Sequence, residues 1–205
     1  MTFLLVAADD DATDAYVGGR PFADAALHWP CCRTCQSPMQ FIAHLPLSAS
    51  MEAAPHGDLS LLLFQCQAQP GMCEEWSAVG GGNAAILSTR ARAHPLDAPP
   101  GETTLPQVSH LRFVAYDEPA DPDQAQDLYQ DVYSAPDSQV VGKAGGQALW
   151  IQYDETPTCS CGTRMTFVAQ LEERGSRGLN FGGGGSAYAF ACAGCKAEAR
   201  FLWQC

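Results

Sequence analysis

The sequence predicts a mainly β fold of the β-rich α+β class, made of two tandem antiparallel β modules that repeat one another. Two observations carry this prediction. Eight of the ten cysteines fall into two groups of four in the same order along the chain, and alternating apolar segments flank each group. We place the first repeat at 1–90, an acidic connector at 91–139 and the second repeat at 140–205, with the two repeats able to pack as one domain.

The first predicted element is a strand at the start of the chain. Residues 1–8 are mostly apolar, no lysine or arginine precedes them, and three aspartates follow at 9–11. A secretory signal needs a basic start, and a membrane-spanning helix needs about 20 apolar residues. We therefore expect a buried strand, no membrane segment and a cytoplasmic location, where cysteines stay reduced and available to metal.

The two cysteine groups lie in segments that align with a single one-residue gap. The offset between the copies is 127 residues up to Cys32, which matches Cys159. It is 126 residues from Cys35, which matches Cys161, onwards to the second cysteine pair. One gap over about fifty residues indicates an internal duplication.

The first strand of each copy follows the first cysteine pair. Four identities recur at every second position, where Met39, Phe41, Ala43 and Leu45 match residues 165, 167, 169 and 171. Such identities predict a strand with one face fixed by packing and the other face exposed and free to change. His44 lies on the predicted free face and aligns with Gln170, so we do not expect it to bind metal.

The remaining strands of each copy surround the second cysteine pair. They are predicted at 61–65 and 84–87 in the first copy and at 187–191 and 199–203 in the second. Antiparallel pairing of the first two strands places both cysteine pairs at one end of the hairpin. The loops at 46–60 and 172–186 are long, and the glycines that end the second one suit close backbone approach or a mobile loop.

The connector is expected to contain a strand and a helix. Residues 110–116 alternate like a strand. Asp121 followed by Pro122 is typical of a helix N-cap with proline at the first helical position. Apolar side chains then recur at helical spacing, Leu128 with Val132 and Tyr129 with Tyr133. We expect a short acidic helix over 122–133 whose apolar side docks on a repeat.

The two cysteine groups are typical of zinc-ribbon-like sites with four thiolates. The predicted ligands are Cys32, Cys35, Cys66 and Cys73 in the first repeat and Cys159, Cys161, Cys192 and Cys195 in the second. Two zinc ions per chain would then stabilise the fold and leave no position for an activated water. Cys31 adjoins Cys32, and the sequence leaves open which of the two is the ligand. The single residue between Cys159 and Cys161 is a tight spacer, and buried apolar thiols are the alternative for either group.

The charge of the chain restricts the class of partner. The formal net charge is -12, with 23 acidic and 11 basic residues. Nucleic-acid binding needs a basic surface, so this charge argues against nucleic acid and favours a basic protein partner. No nucleophile and base stand out, so we predict a non-enzymatic protein-binding module of undetermined oligomeric state. The alternatives are an enzyme with an active site in the cleft between the repeats, or a stress or toxin-neutralising accessory protein.

Several of these segments resemble the programmed cell death protein 2 family. Residues 17–21, 32–35, 39–46 and 61–66 look like its N-terminal part, and residues 157–162, 165–171 and 187–192 are similar to its C-terminal domain. The bacterial YwqG-like proteins share the Gly-Gly-x-Pro motif found at 18–21. The resemblance covers about two thirds of the chain. It implies a duplicated β-rich domain without known enzymatic activity, and a chaperone-like role towards a basic protein client.

Overall fold

The computed structural model describes residues 1–8, 13–24, 26–47, 59–90, 93–173, 178–195 and 197–205. This part of the chain forms twelve strands and one helix, which confirms a mainly β fold. The strands of the first half are β1 (Thr2–Ala8), β2 (Tyr16–Val17), β3 (Phe22–Asp24), β4 (Gln40–Pro46), β5 (Leu59–Gln65) and β6 (Asn83–Thr89). The remaining elements are β7 (Ala93–Pro95), β8 (Ser109–Tyr116), α1 (Pro122–Ser134), β9 (Val140–Ala144), β10 (Thr166–Glu172), β11 (Ser186–Ala191) and β12 (Ala199–Gln204).

Ten of these strands form one antiparallel sheet in the order β12-β11-β10-β9-β1-β8-β2-β4-β5-β6. The two edge strands, β6 and β12, approach each other, so the sheet nearly closes. The backbone N–H of Trp203 donates to the carbonyl oxygen of Trp76 at 3.2 Å near this seam, and the two indole rings meet edge to face. No helix in the described ranges has the length and apolar character that crossing a membrane requires.

The centre of the sheet is built from the predicted first strand and a strand of the connector. Strand β1 pairs with β8 along its whole length, from Thr2 opposite Tyr116 to Ala8 opposite His110. On its other side β1 pairs with β9, whereas β8 pairs with β2. Strand β1 of the first predicted repeat therefore pairs with β9 of the second, whereas β8 of the predicted connector pairs with β2 of the first, and the sheet runs without interruption from one half to the other.

The hairpins β4–β5 and β10–β11 have corresponding registers. Phe41 lies opposite Phe64, and Phe167 lies opposite Phe190. A bulge follows each phenylalanine in the first strand of its hairpin. The bulge adds one residue to that strand, Ile42 in the first half, and so inverts the alternation of side chains beyond it.

This bulge overturns the prediction that the four identical residues share one face. Phe41 packs in the cluster around Phe64, whereas Ala43 packs in the large cluster that contains Leu5. Every residue of β4 is buried, because side chains cover both faces of the sheet. The prediction that His44 lies on an exposed face is therefore wrong. Its side chain is buried, and no free face exists on this strand.

Helix α1 confirms the helix predicted in the connector. The carboxylate of Asp121 accepts a hydrogen bond from the backbone N–H of Gln124 at 3.0 Å, which caps the helix start, and proline occupies the first turn. Ala125 and Tyr129 are buried in a cluster with Leu4 of the sheet, so the helix docks as expected. Its other side carries exposed aspartates.

The glycine segment before β11 folds around a carboxylate. Oε2 of Glu173 accepts hydrogen bonds from the backbone N–H groups of Phe181 at 2.6 Å, Gly183 at 2.9 Å and Gly184 at 3.0 Å. Gly183 and Gly184 have φ of 93° and 115°, which glycine adopts without steric cost, so their amides can converge. This part of the second predicted loop is a close backbone approach. Residues 48–58 and 174–177 of the two predicted loops lie outside the described residues.

Candidate metal centres

The β4–β5 hairpin brings the first group of cysteines together at one end, as the strand directions predict. Cys32 and Cys35 precede β4, Cys66 follows β5 directly, and Cys73 lies in the loop before β6. The four sulfur atoms lie within 4.8 Å of one another, and the sulfurs of Cys35 and Cys66 are 3.6 Å apart. Cysteines that flank the two strands of the hairpin thus face a common centre at its open end.

The β10–β11 hairpin does the same for the second group. The sulfurs of Cys159, Cys161, Cys192 and Cys195 also lie within 4.8 Å of one another. The sulfur of Cys159 is 3.5 Å from that of Cys195, and the sulfur of Cys161 is 3.6 Å from that of Cys192. The single residue between Cys159 and Cys161 does not prevent the four sulfur atoms from meeting.

Donor chemistry and spacing both fit a tetrahedral metal ion. Zinc binds thiolates at about 2.3 Å, which puts the sulfurs of a regular tetrahedron about 3.8 Å apart. The sulfur distances of 3.5 and 3.6 Å are close to this value. They are much longer than a disulfide bond of about 2.05 Å, and all ten cysteines are free. Each group therefore has the donors and the size for one thiophilic ion such as zinc.

Local backbone geometry turns amide groups towards the sulfurs. In the described part of the chain, the residue after a cysteine has positive φ at three places: Gln36 (61°), Glu74 (52°) and Gly162 (86°). The backbone N–H of Ser37 bonds to Cys35, and that of Thr163 bonds to Cys161. In the second group, the N–H of Cys195 donates to the sulfur of Cys192 at 3.4 Å. Such hydrogen bonds stabilise thiolates, which are the form that binds metal.

The proton affinities of the thiols differ within each group. Hydrogen bonds from the hydroxyl and amide of Ser37 lower the pKa of Cys35 to about 6, and those from Thr163 lower the pKa of Cys161 to about 6. Burial raises the pKa of Cys66 to about 11. Four adjacent thiolates repel one another, so without a cation some remain protonated. A bound dication offsets this repulsion and favours the fully ionised set.

The two groups differ in exposure to solvent. In the first group only Cys35 is partly exposed, whereas in the second Cys161 and Cys195 are exposed. A carboxylate that the sequence did not point to adjoins the second group. Oε2 of Glu198 accepts hydrogen bonds from the hydroxyl of Ser160 at 2.6 Å and from the sulfur of Cys159 at 3.3 Å.

The remaining candidates lie outside both groups. Cys31 is exposed and forms an isolated backbone bridge with Pro38, so of the two adjacent cysteines the structure brings Cys32 into the group. Cys205 is exposed as well. Within the described ranges, no other set of histidine, cysteine and carboxylate side chains has the spacing of a metal site, and His44 belongs to none.

Sequence reasoning missed a buried polar network in the second half. The side chain of Lys143 is completely buried, pairs with Glu118 and donates to the carbonyl of Gln147 at 2.5 Å. Nearby, the hydroxyl of Tyr129 donates to the carboxylate of Glu172 at 2.9 Å. The only available signal was that Lys143 stands in an apolar run of a chain with few lysines.

Comparison with models of known protein families finds no match for this chain, and comparison with curated proteins also finds none. The likeness to the programmed cell death protein 2 family stays a prediction. Function is therefore inferred from the cysteine groups, the charges and the cavities of the chain itself.

Proposed function

We propose that the protein is a non-enzymatic binding protein whose fold is held by two structural zinc ions. The observation that carries this proposal is the convergence of four sulfurs within 4.8 Å at the end of each hairpin. Four thiolates complete a tetrahedral shell, so each ion would supply folding stability and offer no open position to a substrate. The ligands would be Cys32, Cys35, Cys66 and Cys73 for one ion and Cys159, Cys161, Cys192 and Cys195 for the other.

A duplication of one β module accounts for the paired sites. The N–H of Gly18 donates to the carbonyl of Ile42 at 2.8 Å, and the N–H of Gly145 donates to that of Val168 at 2.9 Å. These bonds join aligned positions, and both glycines have positive φ. Together with the matching hairpin registers they support two copies of one module. With β8 of the connector counted as the leading strand of the second copy, an exchange of β1 and β8 joins the copies into a single sheet.

The charge distribution supports a basic protein partner. Residues 113–142 contain seven acidic and no basic side chains. Asp123, Asp127 and Asp131 follow one another at four-residue spacing on α1 and are exposed. Like charges at this spacing repel one another, and Asp131 near the helix C-terminus opposes the helix dipole. The exposed acidic face suits electrostatic attraction of a basic polypeptide, as a chaperone-like role requires.

Metal analysis combined with thiol titration tests the zinc sites. We expect two zinc ions per purified chain and only two readily titrated thiols, those of Cys31 and Cys205, since both lie outside the groups. Cys32→Ser and Cys159→Ser should each remove one ion. Cys31→Ser is the matched control, because it changes the neighbouring thiol and should keep both ions. A metal-free protein with ten reactive thiols would overturn the proposal.

Suppression of aggregation tests the acidic surface. The zinc-loaded protein should keep an unfolding basic model protein in solution and leave an acidic one unprotected. High salt should abolish the effect, since the screening length falls from about 10 Å at 0.1 M to about 3 Å at 1 M. Neutralising Asp123, Asp127 and Asp131 to Asn should weaken the protection, whereas Asp97→Asn in the first half should not. Equal, salt-independent protection of both model proteins would contradict a charge-based role.

A further inference from the structure

The second half contains an aromatic cleft next to helix α1. Its volume is about 370 Å³, within the range of roughly 300–1,000 Å³ for ligand sites. Trp150, Phe167 and Phe190 contribute its apolar walls, and Asp154 and Arg164 also line it. The rings of Trp150 and Phe190 are stacked at 5.8 Å, and Phe167 meets Phe190 edge to face at 5.9 Å. The walls are therefore held by contacts among the rings themselves.

The corresponding place in the first half can be identified from the backbone. The N–H of Met39 donates to the carbonyl of Pro30 at 2.9 Å, and the N–H of Met165 donates to that of Pro157 at the same distance. The two prolines are thus equivalent points on the two hairpins. Residues at equal distances before them can be compared directly.

In the first half, apolar side chains fill this place. Leu27 and Trp29 pack against the core cluster, and the Trp29 ring meets Phe64 edge to face at 5.4 Å. The equivalent residues of the second half are Asp154 and Thr156. Protein interiors are close-packed, so the loss of two large apolar side chains needs compensation or leaves a cavity. In the second half Trp150, stacked on Phe190, covers part of this place, and an open cleft with polar groups at its mouth remains beside it.

The charges around the cleft favour a cationic occupant. Asp154 and Arg164 form an ion pair whose side chains are 52% and 66% exposed, so breaking it costs little. Pro122 lines the cleft, and its two neighbours in sequence, Asp121 and Asp123, are exposed. The nearest buried cation is the amino group of Lys143, 5.6 Å from the Phe167 ring centroid. Glu118 pairs with this amino group, so it adds no net positive charge.

We propose that this cleft binds an arginine side chain of the basic protein partner; the inference deepens the proposed function and rests on it. The guanidinium group stacks on the ring of Trp150 or Phe167 and pairs with Asp154 in place of Arg164. Arginine suits the site better than lysine because its planar cation stacks on aromatic rings. It would bind Oδ2 of Asp154, which now accepts from Arg164, since Oδ1 accepts from the amide and the hydroxyl of Thr156. The rings and the carboxylate of the cleft together favour this side chain.

Fluorine NMR with 5-fluorotryptophan in the zinc-loaded protein tests this proposal. The resonance of Trp150 is assigned with Trp150→Phe, and the probe is a short peptide of alternating arginine and serine. We expect the Trp150 resonance to shift and that of Trp29 to stay unchanged, since Trp29 packs in the first half. A lysine–serine peptide of equal charge should bind about tenfold more weakly because it lacks the stacking plane.

The first half supplies the decisive variant. The double change Asp154→Leu and Thr156→Trp introduces the residue types of Leu27 and Trp29, so it should fill the cleft beside Trp150 and weaken the arginine peptide about tenfold or more, with a cooperative thermal transition as the check that the variant folds. Asp97→Asn removes an equal charge from an exposed pair with Arg20 and should leave affinity unchanged. If the peptide binds with no shift at Trp150, or equally well to the filled variant, the cleft proposal fails and the proposal of a basic protein partner stands. If no basic peptide binds at low salt, both fail.

Discussion

Lys143 and Glu118 form an ion pair between β9 and the segment that follows β8, with side-chain exposures of 0% and 7%. Burial lowers the pKa of Lys143, and the hydrogen bond and charge of Glu118 counteract this. A cation in such a place depends on its partner, because removal of the partner leaves a buried charge uncompensated. The pair therefore links the connector to the second half of the sheet at a point that solvent does not reach.

Glu118→Gln should lower the free energy of unfolding by about 3–5 kcal/mol, the usual effect of leaving one buried charge without its partner. Equilibrium urea unfolding measures this loss. The double variant Glu118→Gln and Lys143→Met should recover most of it, because it removes the stranded charge. Asp154→Asn breaks the exposed pair with Arg164 and should change stability by no more than about 1 kcal/mol. A double variant as unstable as Glu118→Gln would show that the loss has another cause.

The second cysteine group should release its zinc before the first. Cys161 and Cys195 are exposed, whereas the first group has one partly exposed cysteine, so a chelator reaches the second ion more readily. A colour-forming zinc chelator in excess should therefore show two phases of equal amplitude. Cys161→Ser should remove the fast phase, and the matched Cys35→Ser should remove the slow one. A single phase in the native protein, or the opposite assignment of the phases, would contradict this order.

Local patterns were sufficient to predict the cysteine groups, the helix and most strands. Cysteine spacing is a property of the chain itself, and the cap at Asp121 acts on a residue three positions away. The hairpin that joins the cysteine pairs follows from strand direction alone. These features involve neighbours in sequence or a single pairing step, so the sequence carries them directly.

Other features depend on contacts between distant segments. The bulge at Ile42 inverts the faces of β4, and nothing in the residue pattern marks it, because both faces are buried. The left-handed backbone at Gln36 occurs in a residue type that rarely adopts it. The aromatic cleft can be recognised only in the folded hairpins, where Asp154 occupies the position that Leu27 has in the first half. Each of these features depends on packing between distant segments, and the periodicity of one sequence carries no information about such packing.

Buried His44 should make the protein less stable in mild acid. Burial lowers its pKa below the usual 6.5, and the carbonyl of Asp14, which accepts from Nδ1, only partly offsets this. The unfolded chain then binds a proton more readily, so stability should fall as the pH drops from 6.5 towards the lower folded-state value. The slope is at most about 1.4 kcal/mol per pH unit. Thermal unfolding at several pH values measures it.

His44→Gln provides the test of this assignment, since Gln170 occupies the equivalent position in the second half. The variant should lose much of the pH dependence between neutral pH and the lower folded-state value. His94→Gln changes an exposed histidine and should keep the native profile. If His44→Gln and the native protein lose stability in parallel, His44 is not the titrating group.

Glu173→Gln should lower the free energy of unfolding at neutral pH, and this loss should become smaller as the pH falls. Burial tends to raise the pKa of Glu173, but the backbone amides of Gly184, Phe181, Gly183 and Gly185 more than offset this and lower it. The contribution is therefore complete above the unfolded-state value of 4.5 and is lost as the pH falls through the lower folded-state pKa. Hydrogen bonds to a charged group contribute about 1.5–3 kcal/mol, so the variant should be less stable by roughly this amount at pH 7. Urea unfolding of the native protein and of Glu173→Gln at the same pH measures this difference, because pH effects common to both proteins cancel. Glu102→Gln, which changes an exposed glutamate, is the control. A difference between Glu173→Gln and native that stays constant in acid would mean that the glycine segment does not depend on the charge of Glu173.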